Sequence, residues 1–163
     1  MFGNKHKNID EIIETNLNAL VRFAYFRIGD RAEAEDIVYE AILRLLETYK
    51  KNKLGNIKSY LFRIVYNLCQ DHWRHQLLET IPLENVDVAD NTEDLLDKEE
   101  IDRINRLLDD LPPNEAEIIN MKVNDELSYV EMSHILDIPE STIKSRFYSG
   151  IKKLKQKYLT NNQ

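Results

Sequence analysis

The sequence has few of the residues that interrupt helices or cross-link chains. Its 163 residues include four glycines, four prolines and one cysteine. So little glycine and proline argues against a turn-rich β fold and favours long helices. The single cysteine, Cys69, excludes an internal disulfide, and its place in a helical pattern indicates a small packed thiol rather than a nucleophile.

Long apolar runs are also missing. No stretch approaches the roughly twenty apolar residues that a membrane-spanning helix requires. The N-terminal run MFGNKHKNIDEII lacks the hydrophobic region of a signal peptide. We therefore expect a cytoplasmic protein with no direct membrane insertion, in which the 42% hydrophobic content builds packed cores.

Groupings that could bind metal or perform catalysis are scarce. The four histidines do not cluster with enough acids or cysteines to build a metal site. The nearest approach is Asp71, His72 and His75 on one predicted helix, which lacks further ligands. The sequence therefore predicts no metal, no cofactor and no catalysis by the chain itself.

The net charge of −7 is unevenly distributed. Residues 1–76 have 12 Lys and Arg against 10 Asp and Glu (+2), residues 77–127 have 4 against 16 (−12), and residues 128–163 have 6 against 3 (+3). Two mildly basic ends suit a protein that touches DNA twice, because phosphate contacts supply most sequence-independent affinity. The acidic middle is either a solvated linker or a surface that faces a basic partner.

Apolar residues recur at helical spacing along most of the chain. The pattern predicts helices over about residues 9–28, 32–49, 57–75 and 95–111, and another from Asn114 after a stop at Pro112-Pro113. The predicted fold is all-α, with two small helical domains joined by an acidic linker. The expected bounds are 1–76, 77–93 and 94–163, and the last is a four-helix domain that contains a helix-turn-helix.

Residues 128–157 predict that helix-turn-helix. A short amphipathic helix is followed by Asp137, a residue type that tolerates left-handed backbone, and Pro139 keeps helix out of the turn. The second helix is expected to begin near Ser141 as its cap, with five core residues: Ile143, Phe147, Ile151, Leu154 and Tyr158. The outward residues suit base edges and phosphates, although a solvated basic helix remains an alternative. They are Thr142, Lys144, Ser145, Arg146, Tyr148, Ser149, Lys152, Lys153 and Lys155.

The predicted helix over 57–75 has two apolar stripes where one would suffice for packing. Phe62, Tyr66, Cys69 and Trp73 form the aromatic stripe. Arginines and amides lie beside it, a combination that suits unpaired DNA because rings stack on exposed bases while cations follow the backbone. The alternative is that most of these aromatic residues are core in a three-helix packing.

Three runs in this order resemble an extracytoplasmic-function (ECF) sigma factor of bacterial RNA polymerase, over nearly the whole chain. They are AEDIVYEAILRLLE, NIKSYLFRIVYNLCQDHWRH and LDDLPPNEAEIINMKVNDELSYVEMSHILDIPESTIKSRFYSGIKKLK. The resemblance implies a subunit that directs core polymerase to promoters and helps to open them. A conventional helix-turn-helix regulator, which binds an operator without polymerase, is the main alternative.

The resemblance also implies site residues and partners. The partners would be core polymerase, through the β′ coiled coil and the β flap, promoter DNA, and an anti-sigma factor. Contact with polymerase is expected at Asp36, Tyr39, Glu40 and Leu43. The minus-ten element would be held by Lys53, Asn56, Tyr60, Arg63, Asn67 and Arg74. The minus-thirty-five element would be read by Thr142, Lys144, Ser145, Arg146, Tyr148 and Ser149, with phosphates on Lys152 and Lys153.

Ser149 stands where arginine is common in this family. A bidentate contact between arginine and guanine is worth about 1–3 kcal/mol of discrimination. The departure therefore implies a promoter sequence unlike the best-known type of the family.

Overall fold

The computed structural model describes residues 3–78 and 98–161, and every regular element in those ranges is a helix. The described residues form seven helices: α1 Gly3–Ile28, α2 Arg31–Lys51, α3 Ile57–Leu78, α4 Lys98–Leu108, α5 Pro113–Val123, α6 Tyr129–Leu136 and α7 Glu140–Asn161. The chain divides into two compact units, one within residues 1–96 and the other within 97–163. The predicted all-α fold of two small helical domains, the second with four helices, is confirmed.

Helix α3 runs past residue 76, the expected end of the first domain. Helix α3 continues to Leu78, two residues past the predicted boundary. Residues 79–93 of the predicted linker lie outside the described residues.

The N-terminal unit is a three-helix packing of α1, α2 and α3. Phe23 and Phe62 are fully buried at its centre, and their rings meet edge to face with centroids 5.3 Å apart. Gly29, at φ 80°, reverses the chain between α1 and α2 in a conformation that only glycine adopts freely. Asp30 then caps α2 by accepting a hydrogen bond from the Glu33 amide at 3.1 Å.

The aromatic stripe of α3 divides between core and surface. Phe62 and Cys69 are buried, whereas Trp73 is 44% exposed. The Trp73 indole nitrogen donates to the Arg27 carbonyl at 2.9 Å, which ties the far end of α3 to α1. Core packing therefore accounts for Phe62 and Cys69, and the surface beside Trp73 is left for other contacts.

In the C-terminal unit, α7 packs against α5 and α6. Helix α5 begins at Pro113, one residue before the predicted start, because proline suits the first helical position, where no amide hydrogen is needed. The predicted extension of α4 to Leu111 is wrong. The helix ends at Leu108, the Leu111 amide then donates to the Leu108 carbonyl at 3.0 Å in a turn, and Pro112 disfavours helical backbone at Leu111.

The predicted core of α7 needs one correction. Ile143 is fully buried and Phe147, Ile151 and Leu154 are half-buried, but Tyr158 is 69% exposed. Helix α7 has 22 residues and its neighbour α5 has 11. At about 1.5 Å per residue, α7 is roughly twice as long as α5, so the last turns of α7 extend beyond α5 and cannot pack against it.

Candidate nucleic-acid interface

The turn between α6 and α7 is fixed by local hydrogen bonds. Ser128 and Glu131 form a reciprocal capping box at the start of α6, with distances of 3.1 and 3.2 Å. Asp137 is left-handed at φ 55°, ψ 46°, which confirms its predicted role in the turn. The Ser133 hydroxyl donates to the Ile138 carbonyl at 2.6 Å and so closes the turn from the α6 side.

Helix α7 begins directly after Pro139. The Pro139 carbonyl accepts the first helical hydrogen bond, from the Ile143 amide at 3.1 Å. Because the helix starts at Glu140, Ser141 lies inside its first turn. The prediction that Ser141 caps this helix is therefore wrong.

One side of α7 presents polar and cationic groups to solvent. Lys144, Ser145, Tyr148 and Lys152 are exposed, and Tyr148 is 63% exposed. Thr142 and Arg146 are half-buried within the same span. This side supplies hydroxyl, ammonium and guanidinium donors, which match the acceptors of base edges and phosphates.

Lys122 on α5 is a further cation beside this surface that the sequence analysis missed. Its ammonium lies 4.4 Å from the centroid of the Tyr129 ring, and that of Lys144 lies 5.7 Å from the same centroid. Burial raises the pKa of Tyr129, and the neighbouring Tyr148 adds to the effect. A single lysine on a largely apolar helix gives no periodic signal, so only the packing of α5 beside α6 could identify it.

Two residues predicted to point outward from α7 contact a buried carboxylate. Ser149 donates to Glu115 Oε1 at 2.8 Å, and Lys153 Nζ lies 3.0 Å from both Glu115 oxygens. Ser149 is half-buried in this contact, whereas the Lys153 side chain stays 47% exposed while its ammonium pairs with Glu115. A buried charge is costly unless it is paired and hydrogen-bonded, and these two side chains satisfy Glu115.

The same contact explains a glycine in the middle of α7. A Cβ added at Gly150 would lie 2.5 Å from the Ile119 Cδ1 atom and 3.5 Å from the Glu115 Cβ atom. The absence of a side chain lets α5 and α7 approach closely enough for Glu115 to reach across.

The pKa of Glu115 is held below the ordinary value of a glutamate carboxyl. The largest cause is the hydrogen bond from Ser149, followed by the hydrogen bond from Lys153. Burial acts in the opposite direction and is outweighed. Glu115 is therefore ionised at neutral pH.

We expect the contribution of Glu115 to the free energy of unfolding to depend on pH. Because the folded state lowers this pKa, the stabilisation is fully present above the unfolded-state value of about 4.3 and is lost as the pH falls through the folded-state value. Glu115→Gln removes the titrating group. The difference in Tm between the wild type and Glu115→Gln should thus be largest near neutral pH and shrink on acidification. Thermal melts followed by circular dichroism would measure it, and a difference that stays constant into that acidic range would contradict the assignment.

Helix α3 presents a second polar surface on the N-terminal unit. Arg63, Asn67 and Arg74 are exposed, and Tyr60 is half-buried, at spacings that bring these residues to one side of the helix. The Arg74 guanidinium lies 3.7 Å from the Asp71 carboxylate in an exposed pair. Lys53 is exposed in the segment that precedes the helix.

Asn56 has a structural role that the sequence analysis did not predict. Its side-chain oxygen accepts from the Ser59 amide at 3.0 Å, and its carbonyl accepts from the Tyr60 amide at 3.1 Å. It therefore caps α3 and fixes the start of the polar surface. Asparagine is a common N-cap, so its position just before Ile57 could have indicated this role.

The outer side of α2 exposes all four residues predicted to bind polymerase. Tyr39 is 58% exposed and Leu43 is 60% exposed, one helical turn apart. Asp36 and Glu40 are exposed on the same helix, and Glu40 accepts from Arg44 at 3.0 Å. This side of α2 therefore offers two apolar side chains and two carboxylates to solvent.

The described residues form neither a metal-binding group nor a membrane-spanning helix. No group of three or more His, Cys, Asp and Glu in these residues is placed to hold a metal ion. His72 Nε2 lies 3.1 Å from the Glu33 carboxylate, across α3 and α2. Within the same residues, no helix combines the length and the apolar character needed to cross a membrane.

Family models identify both units. The model of Sigma-70 region 2 matches residues 12–77, and that of Sigma-70 region 4 matches residues 101–154. The chain is 26% identical over 156 residues to the ECF RNA polymerase sigma factor SigM of Bacillus subtilis, with 92% of this chain and 94% of that protein covered. The chain belongs to the ECF sigma factors.

A second relative is longer than this sigma factor. The chain is 26% identical over 153 residues to the ECF sigma factor SigE of Mycolicibacterium smegmatis, and the match covers 90% of the chain but 60% of that protein. Among solved structures, the fold is similar to that of the sigma factor RpoE of Bartonella quintana, in complex with the anti-sigma factor NepR. The TM-score is 0.67 at 22% identity, with 92% of this chain and 96% of that chain covered.

The family membership decides between the two functions that the sequence left open. Sigma factors of this family direct RNA polymerase to promoters, and both of the regions that do so are present. The alternative of an operator-binding regulator is not supported. Region 2 corresponds to α1–α3, and region 4 contains the helix-turn-helix of α6 and α7.

Proposed function

We propose that this sigma factor reads its promoter with two separate helical surfaces. The exposed side of α7 would lie in the major groove of the minus-thirty-five element, where Thr142, Lys144, Ser145, Arg146 and Tyr148 reach base edges and Lys152 binds phosphate. The observation that carries this proposal is the set of exposed hydrogen-bond donors on α7. This helix follows a turn that the capping box and Asp137 hold in place. Lys122 would add a phosphate contact from α5.

The polar side of α3 would hold the opened minus-ten element. The proposed contacts are Lys53, Asn56, Tyr60, Arg63, Asn67 and Arg74. Half-buried Tyr60 offers a ring edge or face for stacking, and exposed Asn67 offers an amide for a base edge. The Asn56 oxygen is already engaged in the cap, so any contact with DNA would use its amide nitrogen.

Core polymerase would be bound through α2, where Asp36, Tyr39, Glu40 and Leu43 meet the β′ coiled coil. The C-terminal unit would meet the β flap. Each DNA-reading unit alone would bind weakly, but mounting both on polymerase makes the second contact effectively intramolecular. Polymerase supplies the chemistry of transcription in this proposal, and the chain acts in the cytoplasm without catalysing a reaction.

We also propose that an anti-sigma factor controls the chain. The support is the solved complex of the Bartonella quintana sigma factor RpoE with NepR, whose sigma chain has a similar fold. Full activity of this sigma factor when it is expressed with core polymerase alone, in cells that lack its neighbouring genes, would count against such a partner.

The two DNA assignments can be separated by a crossed experiment on reconstituted holoenzyme, at a promoter mapped from the transcription starts that overexpression of the chain induces. Arg146→Ala should relax base preference in the minus-thirty-five element by about 1–3 kcal/mol at one position and leave strand opening intact once polymerase is bound. Asn67→Ala should reduce the permanganate reactivity of the melted minus-ten bases and leave minus-thirty-five preference unchanged.

Each variant serves as the control for the other. A permanganate footprint that Asn67→Ala does not alter would remove Asn67 from the minus-ten site. If the chain alone bound a specific duplex tightly and holoenzyme gained no promoter specificity, the sigma-factor mechanism itself would fail.

A further inference from the structure

Two adjacent lysines on α7 have different surroundings. Both side chains are exposed, that of Lys153 by 47%, but only the Lys153 ammonium contacts both oxygens of Glu115, at 3.0 Å. Sequence alone treats the two as equivalent phosphate ligands. Their surroundings predict that they contribute differently to DNA binding.

Glu115 is well placed to hold Lys153. Its side chain is only 10% exposed, and it lies in the first turn of α5, where the positive end of the helix dipole favours a carboxylate. Removing Lys153 from this position would leave a buried charge with fewer partners, which is unfavourable. The Ser149 hydroxyl is engaged by the same carboxylate, one helical turn before Lys153.

Helices α5 and α7 also approach each other closely beside this contact. Gly150 lies between Ser149 and Lys153 in α7 and is buried against Ile119 and Glu115. The close contact holds α7 at one rotation about its axis, with residues 149 and 153 turned toward α5. The same rotation leaves Lys144, Ser145, Tyr148 and Lys152 exposed.

We propose that Glu115 is a positioning residue that binds the side chains of Ser149 and Lys153 and so keeps them from contacting DNA. Glu115 thereby limits the DNA-reading surface of α7. This inference rests on the proposed role of α7 at the minus-thirty-five element. Tyr148 would be the last residue of α7 that reads a base. Of the two predicted phosphate ligands, Lys152 and Lys153, only Lys152 would bind phosphate. A base pair opposite residue 149 would contribute little to promoter choice.

The logarithm of the promoter-binding constant falls linearly with the logarithm of the salt concentration. The magnitude of this slope increases by about 0.9 for each phosphate that the protein neutralises. We expect Lys152→Gln to lower the magnitude of the slope by about 0.9 and Lys153→Gln to leave it unchanged. Glu115→Gln should release Lys153 and raise the slope by up to about 0.9, and Lys153→Gln in that background should abolish the rise. Over a fourfold change in salt, one contact corresponds to roughly 3.5-fold in affinity.

The measurement uses holoenzyme on one promoter fragment across a salt series, with circular dichroism to establish that each variant is folded. Equal reductions for Lys152→Gln and Lys153→Gln would overturn the inference and leave the DNA role of α7 intact. A slope that Glu115→Gln does not change would also overturn it.

If Glu115→Gln does not fold, the comparison of Lys152→Gln with Lys153→Gln decides the question alone. Failure of both Lys152→Gln and Arg146→Ala to alter promoter binding would instead reject the proposed DNA surface, and the inference with it.

Discussion

Replacing Leu43 with aspartate is expected to weaken the binding of this sigma factor to core polymerase by about 30-fold or more. This loss corresponds to roughly 2 kcal/mol or more of binding free energy, which is the cost of truncating a central residue of an interface. Leu43 is 60% exposed on α2, one helical turn from Tyr39, and is not among the buried residues of that helix. Its loss should therefore affect an interface far more than the fold.

The effect is expected to be large because two unfavourable changes coincide. The apolar contact is lost, and a new carboxylate would be desolvated on a surface that already presents Asp36 and Glu40. Tyr39→Ala should act in the same direction, because an exposed tyrosine contributes a large contact area at low entropic cost. Neither substitution removes a hydrogen bond that stabilises α2.

Competition between labelled wild-type sigma factor and each variant for core polymerase would measure the loss. Leu77→Asp is the matched control, because Leu77 is a 76% exposed leucine on α3 of the same unit. Leu77→Asp should compete nearly as well as the wild type. Equal competition by Leu43→Asp, with unchanged helicity, would remove α2 from the polymerase interface.

Local chemistry made much of the fold predictable. The left-handed turn follows from Asp137 before Pro139, since aspartate tolerates this backbone and proline cannot sit inside the next helix. The bounds of α3 follow closely from helical spacing, which placed this helix over about residues 57–75. These features depend on a few neighbouring residues, so a sequence pattern is sufficient to predict them.

Features that depend on distant residues could not be predicted in this way. Ser149 and Lys153 were expected to be available to DNA because helical spacing says which residues share a side of a helix, but not which residue of another helix they contact. Their partner Glu115 is 34 and 38 residues away in sequence. An acid after two prolines is also ordinary at the start of a helix, so Glu115 gave no sign of a contact with α7.

Substitution of Phe62 by alanine is expected to reduce the stability of the N-terminal unit by about 3–5 kcal/mol. Phe62 is 1% exposed, and its ring meets Phe23 edge to face at 5.3 Å. The variant therefore loses both buried apolar area and an aromatic pair at the junction of α1 and α3. Small domains have total stabilities of about 5–15 kcal/mol, so a loss of this size leaves little reserve.

Hydrogen exchange with mass spectrometry can localise this loss, because α1–α3 and α5–α7 belong to separate compact units. Phe62→Ala should accelerate exchange in α1–α3 and leave α5–α7 protected. Ile143→Ala, at a fully buried position of α7, is the reciprocal control and should accelerate exchange in the C-terminal unit. Holoenzyme with Phe62→Ala should lose strand opening while an intact α7 surface remains. Acceleration throughout both units in either variant would mean that they unfold together, and the separate treatment of the two DNA-reading surfaces would then have to be abandoned.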